Sequence, residues 1–242
     1  MNIENKTVLI TGANRGIGRA LLEEALRRGA KRVYAGTRQP FTHSDGRVTP
    51  LTLDVTNSAH IRQAVSEVGT LDLLINNAGI NLPDDLSSPE LIERHLAVNF
   101  FGLSNVTRAF LPLLKRSKGA IGNILSLAGL APVPMFAAYS ISKAAALNIT
   151  QSWRALLAPQ GVRVHAALLG PIDTDMIRNL PIPKASPESA AVGIFDGLEK
   201  GEEEIFPDPV SRSVAESWLT GPDKALERQF AAFLPLSAAN AA

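Results

Sequence analysis

The N-terminal stretch Thr7–Gly18, TVLITGANRGIG, decides the fold. A short β-branched apolar run leads directly into a glycine-rich turn and then into an amphipathic segment, which predicts a strand, a tight turn and a helix. Gly12 permits a sharp exit from the strand, Gly16 lets the backbone approach a pyrophosphate, and Gly18 allows close packing of the helix on the strand. Because a helix N-terminus offers free N–H groups to an anion, the stretch predicts a dinucleotide-binding turn.

Short apolar runs and longer amphipathic segments continue to alternate along the chain. This pattern predicts an α/β fold, a doubly wound parallel sheet with helices on both faces. The predicted strands lie near residues 6–11, 31–36, 47–53, 71–76, 119–126, 161–168 and 202–206. The predicted helices lie near residues 16–28, 57–68, 88–101, 103–116, 139–158 and 187–199.

No repeat or linker divides the chain, so residues 1–242 are expected to form a single domain. The proline-rich stretch 173–190 is expected to form a substrate lid, followed by a short closing strand and terminal helices. The final residues 237–242, SAANAA, are expected to fray.

Composition argues against several classes of protein. The formal net charge is +1, which gives no electrostatic footprint for a nucleic-acid partner. The chain contains no cysteine, which excludes disulfides, thiolate catalysis and cysteine metal sites. The N-terminal apolar run is too short for a signal peptide or a membrane span. We therefore expect a cytoplasmic protein without membrane contact.

The end of the second predicted strand bears on the choice of nucleotide. Enzymes specific for NAD commonly place a carboxylate there to bind the ribose 2′-hydroxyl. This chain has Thr37 at that place, followed by Arg38, while Arg15 projects from the glycine turn. Two guanidinium groups suit a 2′-phosphate, so the pattern favours NADP(H) over NAD(H). Asp54, after the third strand, is either an acceptor for the adenine amino group or a turn residue.

The segment 139–143, YSISK, places the Tyr139 phenol and the Lys143 ammonium one turn apart on the same face of a helix. Ser126 precedes this pair in NILSLAG, and Asn99 lies in LAVNFFG. Taken singly, such residues are more often caps, core residues or solvated charges. Their joint order and spacing favour catalysis.

With these motifs, with NNAG at 76–79 and with GPIDTDM at 170–176, the chain resembles the short-chain dehydrogenase/reductase family over approximately residues 5–206. The resemblance implies a Rossmann-type sheet in the order 3-2-1-4-5-6-7 and a nicotinamide dinucleotide cofactor.

The resemblance also implies the catalytic roles. Tyr139 would be the general acid/base, and Lys143 would hold the nicotinamide ribose and, with the oxidised nicotinamide, bring the pKa of the phenol toward the operating pH. Ser126 would orient the substrate oxygen. Asn99 would hold a water in a proton relay that leads from the lysine.

The nucleotide contacts implied by the glycine turn, the strand ends and the resemblance are Gly12, Asn14, Arg15, Gly16, Ile17, Gly18, Arg38, Asp54, Val55, Asn76, Asn77, Ala78, Gly79, Tyr139, Lys143, Gly170, Ile172 and Thr174. The sequence departs from the family pattern at Leu125, at Leu169, where relatives often have proline, and at His165, where asparagine is usual.

The sequence thus predicts an NADP(H)-dependent oxidoreductase that interconverts a secondary alcohol, or the alcohol of an aldehyde, with its carbonyl. A small organic substrate is expected, with a pocket built from Leu130, Met135, Phe136, Met176 and Ile177. Two rivals stay open at this point: a non-catalytic NADP(H)-binding redox sensor, and a related enzyme that performs epimerisation or double-bond reduction.

Two further features concern metals and assembly. The four histidines (His43, His60, His95 and His165) lack metal-ligand spacing, so no metal site is expected. The helices near 103–116 and 139–158 are apolar nearly all round, with Leu103, Val106, Phe110, Leu113 and Leu114 in the first. Deep burial within one domain would explain this, but a subunit interface of a homodimer or homotetramer is the preferred interpretation.

Overall fold

The computed structural model describes residues 1–232, in which seven parallel strands form one sheet in the order β3-β2-β1-β4-β5-β6-β7. The predicted α/β class and strand order are confirmed. The strands are β1 (Thr7–Thr11), β2 (Arg32–Thr37), β3 (Val48–Thr52), β4 (Leu73–Asn76), β5 (Ala120–Ser126), β6 (Arg163–Leu169) and β7 (Glu204–Ile205). The expectation for residues 237–242 lies outside the described residues.

Helices cover both faces of the sheet. They are α1 (Gly16–Arg27), α2 (Ser58–Glu67), α3 (Pro89–Leu96), α4 (Leu103–Ser117), α5 (Ala137–Leu157), α6 (Pro187–Lys200), α7 (Pro209–Leu219) and α8 (Pro222–Ala231). On one face, α1 and α6 pack over the sheet with a core that includes Leu21 and Phe195. On the other, α2, α4 and α5 contribute Ile61, Phe110 and Leu157 to the core.

The sequence predicts two separate helices around residue 102, whereas the structure joins α3 to α4 through the π-helix Ala97–Gly102. Gly102 does not interrupt the helix here. It allows close packing instead, because a Cβ at this position would lie 2.6 Å from Cγ2 of Val55. The wider turn contains Asn99, and π-helical turns are frequent at functional sites.

The apolar residues of α4 that suggested a subunit interface are buried within the chain: Leu103, Val106, Phe110, Leu113 and Leu114. The exposed apolar side chains in this region are others, namely Phe101, Ile141 and Leu156. Intramolecular packing therefore explains the excess of apolar residues on α4.

Some predicted boundaries shift for local reasons. β6 begins at Arg163 because Gly161 adopts φ +76° in the turn before it. β7 has only two residues.

Among residues 1–232, no helix combines the length and the apolar character needed to cross a bilayer.

One buried histidine makes stability depend on pH. His165 on β6 is 3% exposed, and its Nδ1 donates to the carbonyl oxygen of Glu202 at 2.6 Å. Its Nε2 has no hydrogen-bond partner among the described residues. Burial lowers the pKa of His165 to about 4, against a weaker opposing effect of the bond to Glu202.

We predict that neutral His165 supports the fold above pH 6.5 and that its protonation in the unfolded chain favours unfolding as the pH falls toward 4. This residue alone should lower the free energy of unfolding by about 2 kcal/mol between pH 8 and pH 5. Urea unfolding at both pH values should show a smaller loss for His165→Asn than for the wild-type chain. Equal losses in the two proteins would contradict this assignment.

Candidate active site

The carboxyl ends of β1, β4, β5 and β6 meet at one edge of the sheet, where open α/β folds bind ligands. A single cleft of about 1730 Å³ lies there. Nearly all of the predicted site residues line it: Gly12, Asn14, Arg15, Gly16, Ile17, Gly18, Arg38, Asp54, Val55, Asn77, Ala78, Gly79, Ser126, Tyr139, Lys143, Gly170, Ile172 and Thr174. Asn76 and Asn99 lie behind its wall.

The glycine turn has the geometry that a pyrophosphate site requires. Gly12 and Gly16 have φ of +69° and +51°, a region that side chains disfavour. A Cβ on Gly18 would lie 2.1 Å from the carbonyl oxygen of Gly12, so only glycine lets α1 approach β1 this closely. The N-cap residue of α1, Arg15, makes no side-chain capping bond. The first N–H groups of α1 therefore face the cleft without a side-chain cap and fit a phosphate.

Side chains of β1 and the β4 turn hold the two loops together. Thr11 Oγ1 accepts hydrogen bonds from the backbone N–H groups of Asn77 and Ala78, at 2.9 and 3.0 Å. Asn77 Nδ2 donates back to the carbonyl oxygens of Thr11 and Gly12. The NNAG segment thus fixes the glycine turn.

Asn76 has a different environment from its neighbours. Its side chain is buried behind the sheet edge, where Nδ2 donates to Thr107 Oγ1 and Asn123 Oδ1, both at 2.9 Å. The structure therefore places this residue in a polar network within the core and not on the cleft wall.

The end of β2 offers no carboxylate to a ribose. Thr37 is buried and its hydroxyl donates to the carbonyl oxygen of Gln39 at 2.7 Å. Arg38 is exposed on the cleft wall. Arg15 also lines the cleft, but its guanidinium forms an ion pair with Asp175 at 3.2 Å. The two arginines thus line the same cleft, one of them already paired.

Asp54 accepts hydrogen bonds through Oδ1 from the N–H and the hydroxyl of Thr56, at 2.9 and 2.7 Å. Burial raises its pKa, but these bonds and the charge of Arg38 outweigh burial, so the pKa of Asp54 is lowered. Asp54 is therefore both a turn residue and an ionised group on the cleft wall.

The three reactive side chains converge at the base of the cleft. Lys143 is 6% exposed, its Nζ donates to the carbonyl oxygen of Ile124 at 2.9 Å, and Nζ lies 5.6 Å from the centre of the Tyr139 ring. Ser126 lines the cleft beside Tyr139, near enough to lower the pKa of the phenol. A Cβ on Gly129 would lie 2.9 Å from the carbonyl oxygen of Lys143, so this glycine lets the Ser126 turn pack against α5.

The electrostatics of the chain alone differ from expectation. Burial raises the pKa of Tyr139 to about 12, and Ser126 lowers it only in part. Burial also lowers the pKa of Lys143 to about 8. Because the ammonium is directed at Ile124, it does not offset the desolvation of a phenolate. The chain by itself therefore favours the neutral phenol, which is the proton-donating form.

Asn99 is buried, and its side-chain amide binds protein groups on both sides. Oδ1 accepts from the N–H of Ile80, while Nδ2 donates to the carbonyl oxygen of Ile80 and to Ser142 Oγ, each at 2.9 Å. Ser142 Oγ in turn donates to the carbonyl oxygen of Tyr139 at 2.7 Å. The Asn99 side chain thus connects the loop after β4 to α5, and Oδ1 keeps one lone pair for a water.

Of the five apolar residues predicted for the substrate pocket, Met135, Phe136, Met176 and Ile177 line the cleft. Leu130 does not line it and packs against a core cluster instead.

Sequence reasoning missed residues that act on the cleft from outside its motifs. Asp208 is 1% exposed and accepts from the N–H of Gly170 at 2.8 Å, which fixes the start of the 170–176 segment. The pattern of Asp208 three residues before Ser211 signals a helix cap, but not its contact with Gly170. Asp84 and His95, which hold the opposite wall, gave no signal in the sequence.

A parallel sheet with a phosphate turn after β1, and a serine, tyrosine and lysine at the same edge, defines a dinucleotide-binding oxidoreductase. The sequence model of the short chain dehydrogenase family matches residues 6–184. The chain therefore belongs to the short-chain dehydrogenase/reductase family, whose members use a nicotinamide cofactor.

Similar proteins agree with this membership. A short chain dehydrogenase from Burkholderia cenocepacia, solved in complex with NADP, has a TM-score of 0.87 and 40% identity, with 97% of this chain and 100% of that one covered. The 3-oxoacyl-[acyl-carrier-protein] reductase FabG of Thermotoga maritima is 33% identical over 75% of this chain and 80% of its own length. Estradiol 17-beta-dehydrogenase 2 of Mus musculus is 32% identical over 89% of this chain, which spans 57% of that relative's length.

Proposed function

We propose that the protein is an NADP(H)-dependent oxidoreductase that interconverts a secondary alcohol, or the alcohol of an aldehyde, with its carbonyl. The observation that carries the proposal is that Ser126, Tyr139 and Lys143 line the same cleft as the glycine turn. A proton donor and an oxygen-orienting hydroxyl thus face the space beside a nucleotide site.

The chain's own groups account for the proton and the charge. A nicotinamide dinucleotide held at the glycine turn would supply hydride to the carbonyl carbon in reduction and would accept it from the alcohol in oxidation. In reduction, the neutral Tyr139 hydroxyl donates its proton to the carbonyl oxygen, which Ser126 Oγ orients by donating a hydrogen bond. In oxidation, Tyr139 as phenolate accepts the proton of the alcohol. Lys143 holds a positive charge 5.6 Å from the centre of the phenol ring, and a bound oxidised nicotinamide would add a second; together they would favour the phenolate.

The preference for NADP(H) rests on charge at the far end of the cleft. The end of β2 lacks a carboxylate, and the exposed Arg38 and Arg15 suit a 2′-phosphate. The ion pair of Arg15 with Asp175 is exposed and therefore weak, so a phosphate can replace Asp175. The similar Burkholderia structure was solved with NADP, which agrees with this choice.

The whole chain would act as one catalytic domain, with residues 173–190 as the substrate lid. Met135, Met176 and Ile182 line the cleft and expose 55%, 44% and 44% of their surface. Such exposed apolar side chains at the cleft mouth support a small substrate with apolar surface. A cytoplasmic location is also part of the proposal, which fractionation of cells would test.

In a homodimer or homotetramer, the helices at 103–116 and 139–158 would form the interface between subunits. Phe101, Ile141 and Leu156 expose between 41% and 54% of their surface on and beside these helices. Ile141 lies two residues from both Tyr139 and Lys143, so an interface on this face would support the catalytic helix.

Replacement of Tyr139 tests the proton-transfer step. Tyr139→Phe should lower kcat for ketone reduction with NADPH by at least about a hundredfold, because general acid catalysis contributes about that much or more. Nucleotide affinity, measured by fluorescence titration, should stay close to wild type. A variant that turned over at the wild-type rate, or a wild-type chain that bound NADPH tightly without turnover on any carbonyl or alcohol, would refute the proposal.

The pH dependence should differ between the two directions. Because burial raises the pKa of Tyr139 in the chain alone, the proton-donating form should prevail at neutral pH, and reduction should not accelerate as the pH rises. Oxidation needs the phenolate and should accelerate as the pH rises. A reduction rate that increases with pH would contradict this assignment of the acid.

Replacement of Arg38 tests the preference for NADP(H). Arg38→Ala should lower the NADPH/NADH ratio of kcat/KM by about tenfold to a hundredfold, the value of a charge-assisted hydrogen bond. Arg62→Ala is the matched control, because Arg62 is an exposed arginine of α2 that does not line the cleft. An unchanged ratio in Arg38→Ala would show that this arginine does not select the cofactor.

The mass of the protein in solution tests the proposed assembly. Light scattering should return a mass of two or four chains, and Ile141→Asp should shift it toward one chain. A wild-type mass of about 26 kDa, that of a single chain of 25.8 kDa, would remove this part of the proposal.

A further inference from the structure

The catalytic helix begins without a cap of its own. Its N-cap residue is Phe136, which makes no side-chain hydrogen bond, and phenylalanine has no side-chain acceptor for a helix N-terminus. The first N–H groups of any helix lack partners within the helix. Tyr139 is the third residue of α5, so it lies in the turn that such a start leaves free to fray.

Asp84 supplies the missing cap from 54 residues upstream. Its carboxylate oxygens Oδ1 and Oδ2 accept from the N–H of Ala138 at 3.2 and 3.0 Å. The backbone of Asp84 also pairs with this segment, through a parallel bridge to Phe136 and an N–H bond to the carbonyl oxygen of Met135 at 3.4 Å. A carboxylate at this end also complements the helix dipole.

The same carboxylate shapes its own loop. Oδ1 accepts from the N–H of Leu86 at 3.2 Å, and Leu86 has φ +66°, a left-handed conformation that leucine disfavours. At the other end of the loop, the fully buried His95 accepts through Nε2 from the N–H of Leu82 at 3.0 Å. The His95 ring also meets the Tyr139 ring edge to face, with centres 6.4 Å apart. The loop is therefore held at two points around the phenol.

We propose that Asp84 is a positioning residue. Its carboxylate caps the N-terminus of α5 from a distant loop of the same chain and so holds Tyr139 in place beside Ser126. The inference rests on the proposed function for its kinetic consequence, but the cap itself does not.

Loss of the cap should affect Tyr139 and spare Lys143. The later part of α5 has anchors of its own, in the bonds of Lys143 Nζ to Ile124 and of Thr150 to Asn123. Without the cap, fraying would thus be confined to the first turn. Because Asp84 does not line the cleft and lies away from the glycine turn, nucleotide affinity should not depend on it.

The test compares Asp84→Ala, Asp84→Asn and Asp85→Ala in the full chain. Asp84→Asn keeps an acceptor oxygen and is a good capping residue. Asp85 is the matched control, because its carboxylate accepts from the N–H of Ser87 and makes no bond to α5. Amide hydrogen exchange of residues 138 and 139 reports the cap, while kcat, KM for a ketone and Kd for NADPH report its effect.

Asp84→Ala should accelerate exchange at residues 138 and 139 and lower kcat by about tenfold through misplacement of the phenol. Its Kd for NADPH should stay within about twofold of wild type, since the nucleotide site is untouched. Asp84→Asn should restore most of the slow exchange and most of the wild-type kcat, and Asp85→Ala should match wild type in both. If Asp84→Ala does not fold, Asp84→Ser, whose side chain is shorter, takes its place.

Unchanged exchange in Asp84→Ala would overturn the inference, as would faster exchange with an unchanged kcat. The inference would also be overturned if Asp85→Ala changed exchange and kcat as much as Asp84→Ala does, because the effect would then come from the charge of the loop. A wild-type chain without turnover would refute the proposed function alone, and exchange at residues 138 and 139 would still decide whether Asp84 caps the helix.

Discussion

The buried ammonium of Lys143 is the constraint on which the site depends. Removing an ammonium from water is costly unless protein groups accept its hydrogen bonds, and among the described residues Nζ has a single such acceptor, the carbonyl oxygen of Ile124. Burial lowers its pKa only to about 8, so the group keeps its charge at neutral pH. Near the lysine, Gly79 leaves room for the Asn99 side chain, because a Cβ on Gly79 would lie 3.2 Å from Asn99 Oδ1. A backbone carbonyl of β5 and a side chain of α5 thus meet at one buried charge.

The features that the sequence predicted are those written in local patterns. The seven strands and helices α1 to α6 follow from hydrophobic periodicity, whereas the π-helix that joins α3 to α4 does not. The glycine turn and the Tyr139–Lys143 pair follow from spacing. The features that it missed depend on partners far away in the chain. α5 begins at Ala137, two residues early, because Asp84 caps it from another loop. Neither the pairing of Arg15 with Asp175 nor the raised pKa of Tyr139 could be predicted, since burial and ion pairing exist only after folding.

The loops around the cleft are held by side chains rather than by regular structure. Buried loop backbone must find hydrogen-bond partners, and three polar side chains supply them at the sheet edge. Thr11 binds the N–H groups after β4, Asn99 binds both backbone groups of Ile80, and Asp208 binds the N–H of Gly170. Each of these side chains is buried, so each bond contributes to stability and fixes the site at once. A reaction that depends on the distance between Tyr139 and Ser126 needs such rigidity.

The segment after β6 is anchored differently. Its ends are joined by the bridge between Ile172 and Ala185, but Asp175 within it is held by exposed ion pairs to Arg15 and Arg178. Exposed ion pairs contribute little to stability, so this part of the cleft wall is held less firmly than the side chains of β5 and α5. Because Asp175 and a nucleotide phosphate would share Arg15, an anion bound beside the glycine turn competes with the segment for the same guanidinium. Arg15 therefore links the glycine turn to the segment after β6.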